Sequence, residues 1–238
     1  MSAAAATSED SALPARWRFN HVMSLGGTCA VSAQIRRYFG YAFRSPFDMW
    51  YTPLLGLIEL LADNTPSRLY EPTLLAKTRT DDAAEIENTH YEIEFSHAFV
   101  KREGDLLPED WLGAPLVRFR TITKRAWTFL ADADTPNTRI LFLRLSIDRD
   151  RNQSRVPHVA DLLRLQDALT TMYRSADFRV AMLNYPALEA EAAGWVGEPL
   201  SRCFFASVRH SRKPDWRGPP EAWDAAFAEM PVCYESAP

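Results

Sequence analysis

FNHVMSLGGTCAVSAQIRRYFG, residues 19–40, is the stretch whose reading decides the fold. Phe19, Val22, Met23 and Leu25 make an apolar run of the length of a short buried strand. Gly26 and Gly27 then permit a sharp turn. Thr28 is a helix cap, and residues 29–39 read as a helix, with Val31, Ile35, Tyr38 and Phe39 on one face and Gln34, Arg36 and Arg37 on the other. Gly40 is its stop. This places Cys29 in the first turn of a helix, over unpaired N–H groups and the positive end of the dipole. Both favour thiolate over thiol, and the thiolate is the nucleophile. Gly26, Gly27, Thr28 and Ala30 then form a backbone cradle able to hold an oxyanion or another anion. The competing reading is a small buried cysteine in an ordinary strand–turn–helix.

Downstream, YAFRSPFDMW at residues 41–50 is a loop pinned into the core by its aromatics. Asp48 stands alone among them and needs a partner: a backbone N–H, an Arg or a His. Residues 53–62 read as a helix, and 64–88 as polar loops with at most one short element. Tyr91, Ile93 and Phe95 alternate with Glu92 and Glu94 as a half-buried strand that ends at His97. Residues 116–131 form an amphipathic helix with a basic solvated face (Arg118, Arg120, Lys124, Arg125), one of whose cations could hold an acidic substrate group. Residues 140–145, ILFLRL, read as a strand covered on both faces, with Arg144 calling for an acid. Helices at 156–175, 187–193 and 221–230 alternate with strands at 178–183 and 203–208.

That rhythm predicts an α/β fold: a mostly parallel sheet with helices on both faces, as a single domain over 17–238 after a disordered tail at 1–16. Ligands collect at the carboxyl ends of such strands. Cys29, His97 and His210 each follow a predicted strand, so all three meet at one edge if the strands are parallel. The 238 residues carry a net charge of −4 and give no drive toward nucleic acid or anionic membranes. No apolar run has transmembrane length, and the N-terminus does not read as a secretory signal. Cys29, Cys203 and Cys233 are widely spaced, with no zinc spacing and hence no metal site. Free thiols in a reducing cytoplasm are the expectation.

The motifs Leu25-Gly26-Gly27-Thr28-Cys29, Pro46-Phe47-Asp48-Met49-Trp50 and Phe95-Ser96-His97 together resemble a bacterial domain-of-unknown-function family described as putative papain-like cysteine peptidases. In this chain Met49 separates the Asp from the Trp, and Ala98 stands where an acid would follow the His. The resemblance implies Cys29 as nucleophile, His97 as base and Asp48 as orienting residue, with no cofactor. His210, after the last predicted strand, is the rival base. The substrate would be a small molecule, a peptide or a saccharide. Two alternatives stand beside the thiol hydrolase. One is an acyltransferase of polysaccharide biosynthesis with coenzyme A as acyl donor, because the glycine turn also resembles the start of capsule-biosynthesis proteins that bind it. The other is a non-enzymatic anion-binding module.

Overall fold

The structure, a computed structural model, describes residues 16–40, 45–79, 84–95, 98–99, 109–148, 150, 156–209 and 217–235. Residues 1–15 of the tail expected at 1–16, His97 and His210 lie outside the described residues.

The apolar run before the glycines is two strands, β1 (Trp17–Phe19) and β2 (His21–Ser24). Asn20 makes the break. Its side chain donates to the Asn137 carbonyl and accepts from the Arg139 N–H, both at 2.8 Å, tying the break to the start of a neighbouring strand. The helix α1 (Cys29–Phe39) follows, then α2 (Leu54–Asp63), each within a residue or so of its expected span.

Residues 64–88 depart from the loop expectation. They hold two 3₁₀ turns and the strands β3 (Leu75–Arg79) and β4 (Ala84–Asn88), which pair antiparallel. β5 (Ile93–Glu94) adds to β4, also antiparallel. The alternation around it is as expected: Tyr91, Ile93 and Phe95 are buried, while Glu92 is exposed. Its direction is set by a tight turn. The Asn88 carboxamide oxygen accepts from the N–H groups of His90 and Tyr91 at 3.1 and 3.0 Å, folding the chain back on itself. The strand before His97 therefore belongs to a separate antiparallel sheet, β3–β4–β5, and not to the parallel sheet that carries Cys29.

That parallel sheet is built from β2, β6 (Arg139–Leu145), β7 (Asp177–Leu183) and β8 (Cys203–Ala206), in the order β2–β6–β7–β8. Helices α3 (Ala114–Asp132), α4 (Val159–Met172), α5 (Pro186–Ala193) and α6 (Pro220–Glu229) complete the helical layers. A further strand, β9 (Val232–Tyr234), follows α6 and pairs parallel with β1, so the chain does not close on a helix.

The near-continuous apolar composition of β6 has a direct cause. Ile140 and Phe142 point into a core shared with α2, α3 and α4, while Leu141, Leu143 and Leu145 point into another shared with α1 and α6. Both faces are covered, so the strand shows no regular polar alternation, and Arg144, the polar residue in its interior, is itself buried. The chain is thus α/β, with a parallel sheet between helices.

The glycine turn lies across the end of β6. Gly26 and Gly27 have φ of +79° and +101°. A Cβ on Gly27 would come within 2.4 Å of the Leu145 carbonyl oxygen, whereas on Gly26 it would meet Thr52 and Phe47 at 3.1–3.3 Å. Gly27→Ala is expected to cost about 1–3 kcal/mol from backbone strain alone, and more than Gly26→Ala, because a backbone carbonyl cannot move aside. Urea unfolding of the two variants checks the order.

Candidate active site

Cys29 is the first residue of α1. Thr28 caps the helix, its hydroxyl accepting from the Ala30 N–H at 3.3 Å, and Gly40 ends it in the left-handed region at φ 65°. The Ala30 N–H is thereby engaged. The sulfur is half-buried. Burial raises the thiol above its ordinary pKa, against the opposing pull of its own backbone N–H and of the Arg36 guanidinium. The helix terminus alone therefore does not leave this thiol ionised at neutral pH. The expectation drawn from the helix end overlooked desolvation, which dominates here.

Asp48 lies in a 3₁₀ turn, Pro46–Met49, that packs on α1. The turn is held to β2 by Ser45, whose hydroxyl donates to the Ser24 carbonyl at 2.7 Å and accepts from the Phe47 N–H at 3.3 Å. It is held to α1 by Ser32, whose Oγ lies 3.0 Å from the carbonyl oxygen of Cys29 and 3.3 Å from that of Asp48. The Asp48 carboxylate is buried and pairs with Arg36 at 3.9 Å. Cys29, Ser32 and Arg36, spaced by three and four residues, form one stripe of α1 facing this turn. Arg36 had read only as part of the face opposite Val31 and Ile35. Its role follows from the position of Asp48 and leaves no signal in helical periodicity.

Beyond Asp48 opens a cavity of about 510 Å³. Its buried floor includes Asp48, Trp50, Phe99, Phe119 and Thr123. The aromatics are mutually fixed: the Trp50 ring lies 5.2 Å from Phe95, and Phe119 lies 4.6 Å from Phe95 and 5.2 Å from Phe99. The size is that of a small-molecule site. Ala98 and Phe99, which follow His97 in sequence, line the same cavity as Asp48.

Behind the glycine turn lies a buried polar network. Arg144 is fully buried and donates to Asp150 Oδ2 at 3.0 Å, to the Tyr185 hydroxyl at 3.0 Å and to the Leu25 carbonyl at 3.3 Å. Tyr185 donates in turn to Asp150 at 2.6 Å. Burial and the neighbouring Asp150 carboxylate hold the Tyr185 phenol well above its usual range, despite Arg144, so it stays a neutral donor. Asp150 also accepts from the N–H of Leu54 at 2.7 Å, the first residue of α2, which has no side-chain cap of its own. The acid that Arg144 called for is therefore Asp150, six residues on in a helical position shortly after β6, which sequence periodicity does not read.

The other thiols lie elsewhere. Cys203 is in β8, pushed up to about 12 by burial against the opposing effect of Arg179, and Cys233 is exposed in β9. Among the described residues no group of three or more His, Cys, Asp or Glu converges to hold a metal, and no helix is long and apolar enough to cross a membrane.

A family model described as putative papain-like cysteine peptidase matches residues 20–187. The chain belongs to this family. The matched span contains Cys29, Asp48 and His97, together with Arg144, Asp150 and Tyr185, and ends before His210. Comparison with curated proteins and with solved structures gave no match. Membership carries the description of a cysteine peptidase class and no particular substrate.

Proposed function

We propose that this chain is a thiol hydrolase acting through an acyl-enzyme on Cys29. The observation that carries the reading is the half-accessible sulfur at the start of α1, on the same helical stripe as Arg36 and held through Ser32 to the turn that bears Asp48. His97 is the base and Asp48 its orienting partner. Of the two candidate histidines, only His97 falls within the family span. In this scheme the imidazole takes the thiol proton and the thiolate attacks a substrate carbonyl. The oxyanion forms against the Cys29 N–H and the glycine turn, and its collapse expels an amine or alcohol that leaves with the imidazolium proton. Water, deprotonated by the same imidazole, then cleaves the thioester and restores the thiol. Transfer to an acceptor other than water, including an acyl group brought by coenzyme A, uses the same thioester and differs only in the second half.

The imidazole is indispensable in this reading because burial raises the Cys29 thiol. An unassisted thiol would be almost wholly protonated at pH 6, while a thiolate–imidazolium pair is ionised there. Iodoacetamide at pH 6 is expected to label Cys29 first and Cys203, pushed up to about 12, last. His97→Ala is expected to remove the labelling of Cys29 at pH 6 and to leave it nearly intact at pH 9. Equal labelling of all three thiols at pH 6, mapped by peptide mass spectrometry, would refute both the hydrolase and the transferase and favour an anion-binding module.

A further inference from the structure

The cavity beside Asp48 contains two polar groups that the proposed chemistry does not use. The first is Thr123, in the middle of α3. A helical threonine ordinarily donates to the carbonyl four residues back. Thr121 and Thr128 do so, at 3.0 and 3.1 Å from the carbonyls of Val117 and Lys124. Thr123 does not: its hydroxyl is buried on the cavity floor and has no hydrogen-bond partner among the described residues. A buried hydroxyl without a partner is costly, and a bound polar atom relieves the cost. The second group is Arg118, exposed at the rim, which makes no ion pair among the described residues. Arg36, the other guanidinium at the rim, is engaged by Asp48.

The charge count selects the ligand. Among the described residues lining the cavity one guanidinium is uncommitted, and the nearby carboxylate of Asp48 disfavours a second negative charge on the ligand. A single carboxylate fits this balance better than a phosphate dianion. The remaining floor is aromatic, Trp50, Phe99 and Phe119, and the rim adds Met49 and Ile122, exposed at 45% and 52%. These surfaces require an apolar body on the ligand. We infer that the cavity binds an amphipathic monocarboxylate, a short peptide or acyl-amino acid whose free carboxylate pairs with Arg118, whose apolar side chain lies on Trp50 and Phe119, and one of whose amide or carboxyl oxygens accepts from Thr123. The inference deepens the thiol-hydrolase reading and rests on it only for the fate of the ligand.

The test is calorimetric titration of the full chain carrying Cys29→Ala, or Cys29→Ser if the alanine variant folds poorly, with N-acetyl-leucyl-phenylalanine and with its C-terminal amide. The free acid is expected to bind about 10-fold more tightly than the amide, the order of one charge-assisted contact. Arg118→Gln is expected to bring the acid down to the affinity of the amide and leave the amide unchanged, with Arg118→Lys recovering part of the preference. Thr123→Val is expected to weaken both ligands. Equal binding of acid and amide, no binding of either, a preference that survives Arg118→Gln, or equally effective competition by inorganic phosphate each overturns the inference. Carboxylate-selective binding without turnover by the intact chain would strike the hydrolase reading alone. Turnover of uncharged esters with no carboxylate preference would strike the ligand assignment alone.

Discussion

Asp150→Ala is expected to cost about 3–5 kcal/mol of folding stability, the range for removing one partner of a buried ion pair. The magnitude comes from what is left behind. Arg144 has no solvent contact, and its guanidinium would keep only the Tyr185 hydroxyl and the Leu25 carbonyl. A charge in that position is not solvated, and the guanidinium does not release its proton. The same substitution removes the acceptor for the Leu54 N–H and so uncaps α2, and it removes the acceptor for the Ile147 N–H at 3.2 Å. Urea unfolding should show a lower midpoint at unchanged slope. Arg144→Met combined with Asp150→Leu should recover much of the loss, because the stranded charge is then absent. A single Asp150→Ala variant within about 1 kcal/mol of the parent would mean that the network is not the support inferred here.

The consequence for the site is geometric. Leu25, which accepts from Arg144, is the residue immediately before Gly26, and Gly27 lies against the carbonyl of Leu145, the residue immediately after Arg144. The turn that presents Cys29 is thus seated on the end of β6 through contacts on both sides of one buried arginine. A turn with this much buried support is held in position by the core of the protein.

How much of this could be read from the residues varied with the kind of signal. Gly26–Gly27–Thr28 before an amphipathic run fixed α1 because each residue has a local reason: positive φ, a cap, a period of 3.6. β6 and β7 were legible because coverage on both faces leaves an apolar run that needs no alternation. β3 and β4 were not. Their residues, LAKTR and AEIEN, are mostly polar, and the Asn88 at the end of β4 is buried because its side chain serves the turn and donates to the Arg68 carbonyl at 2.8 Å. A buried asparagine looks in sequence like a surface residue. β9 was hidden by its three-residue length and by a partner, β1, more than two hundred residues away. At the site, Cys29 and Asp48 were legible from local motifs. The Ser32 bridge, the Arg36 pairing and the idle hydroxyl of Thr123 depend on which elements meet, so periodicity assigned Arg36 merely to a helix face and gave no account of the other two.

Cys29→Ala is expected to lower hydrolysis of an activated ester such as p-nitrophenyl acetate by at least about 10³-fold while changing stability by less than about 1 kcal/mol. The stability half follows from the position. Alanine is the best helix former, the Thr28 cap does not involve the sulfur, and the Ser32 hydrogen bond goes to the backbone carbonyl of residue 29, which alanine retains. In the proposed scheme the activity half follows from loss of the thioester on Cys29, and Cys203, pushed up to about 12 by burial, is too weakly acidic to take its place. Cys29→Ser should fail nearly as completely, because a hydroxyl is far harder to ionise than a thiol. In the parent chain an acetyl group should be recovered on the peptide containing Cys29 after a rapid acid quench. The pH dependence carries the sign of the raised thiol: without an imidazole partner the rate would climb only above the ordinary thiol range, so a rate already at its plateau near neutrality requires the pair. Added amines or sugars that accelerate loss of the acetyl group would mark a transferase, and indifference to them a hydrolase. A Cys29→Ala variant that unfolds, or one that keeps the parent rate, would show that the sulfur is a packing atom and that α1 begins with a cysteine for structural reasons.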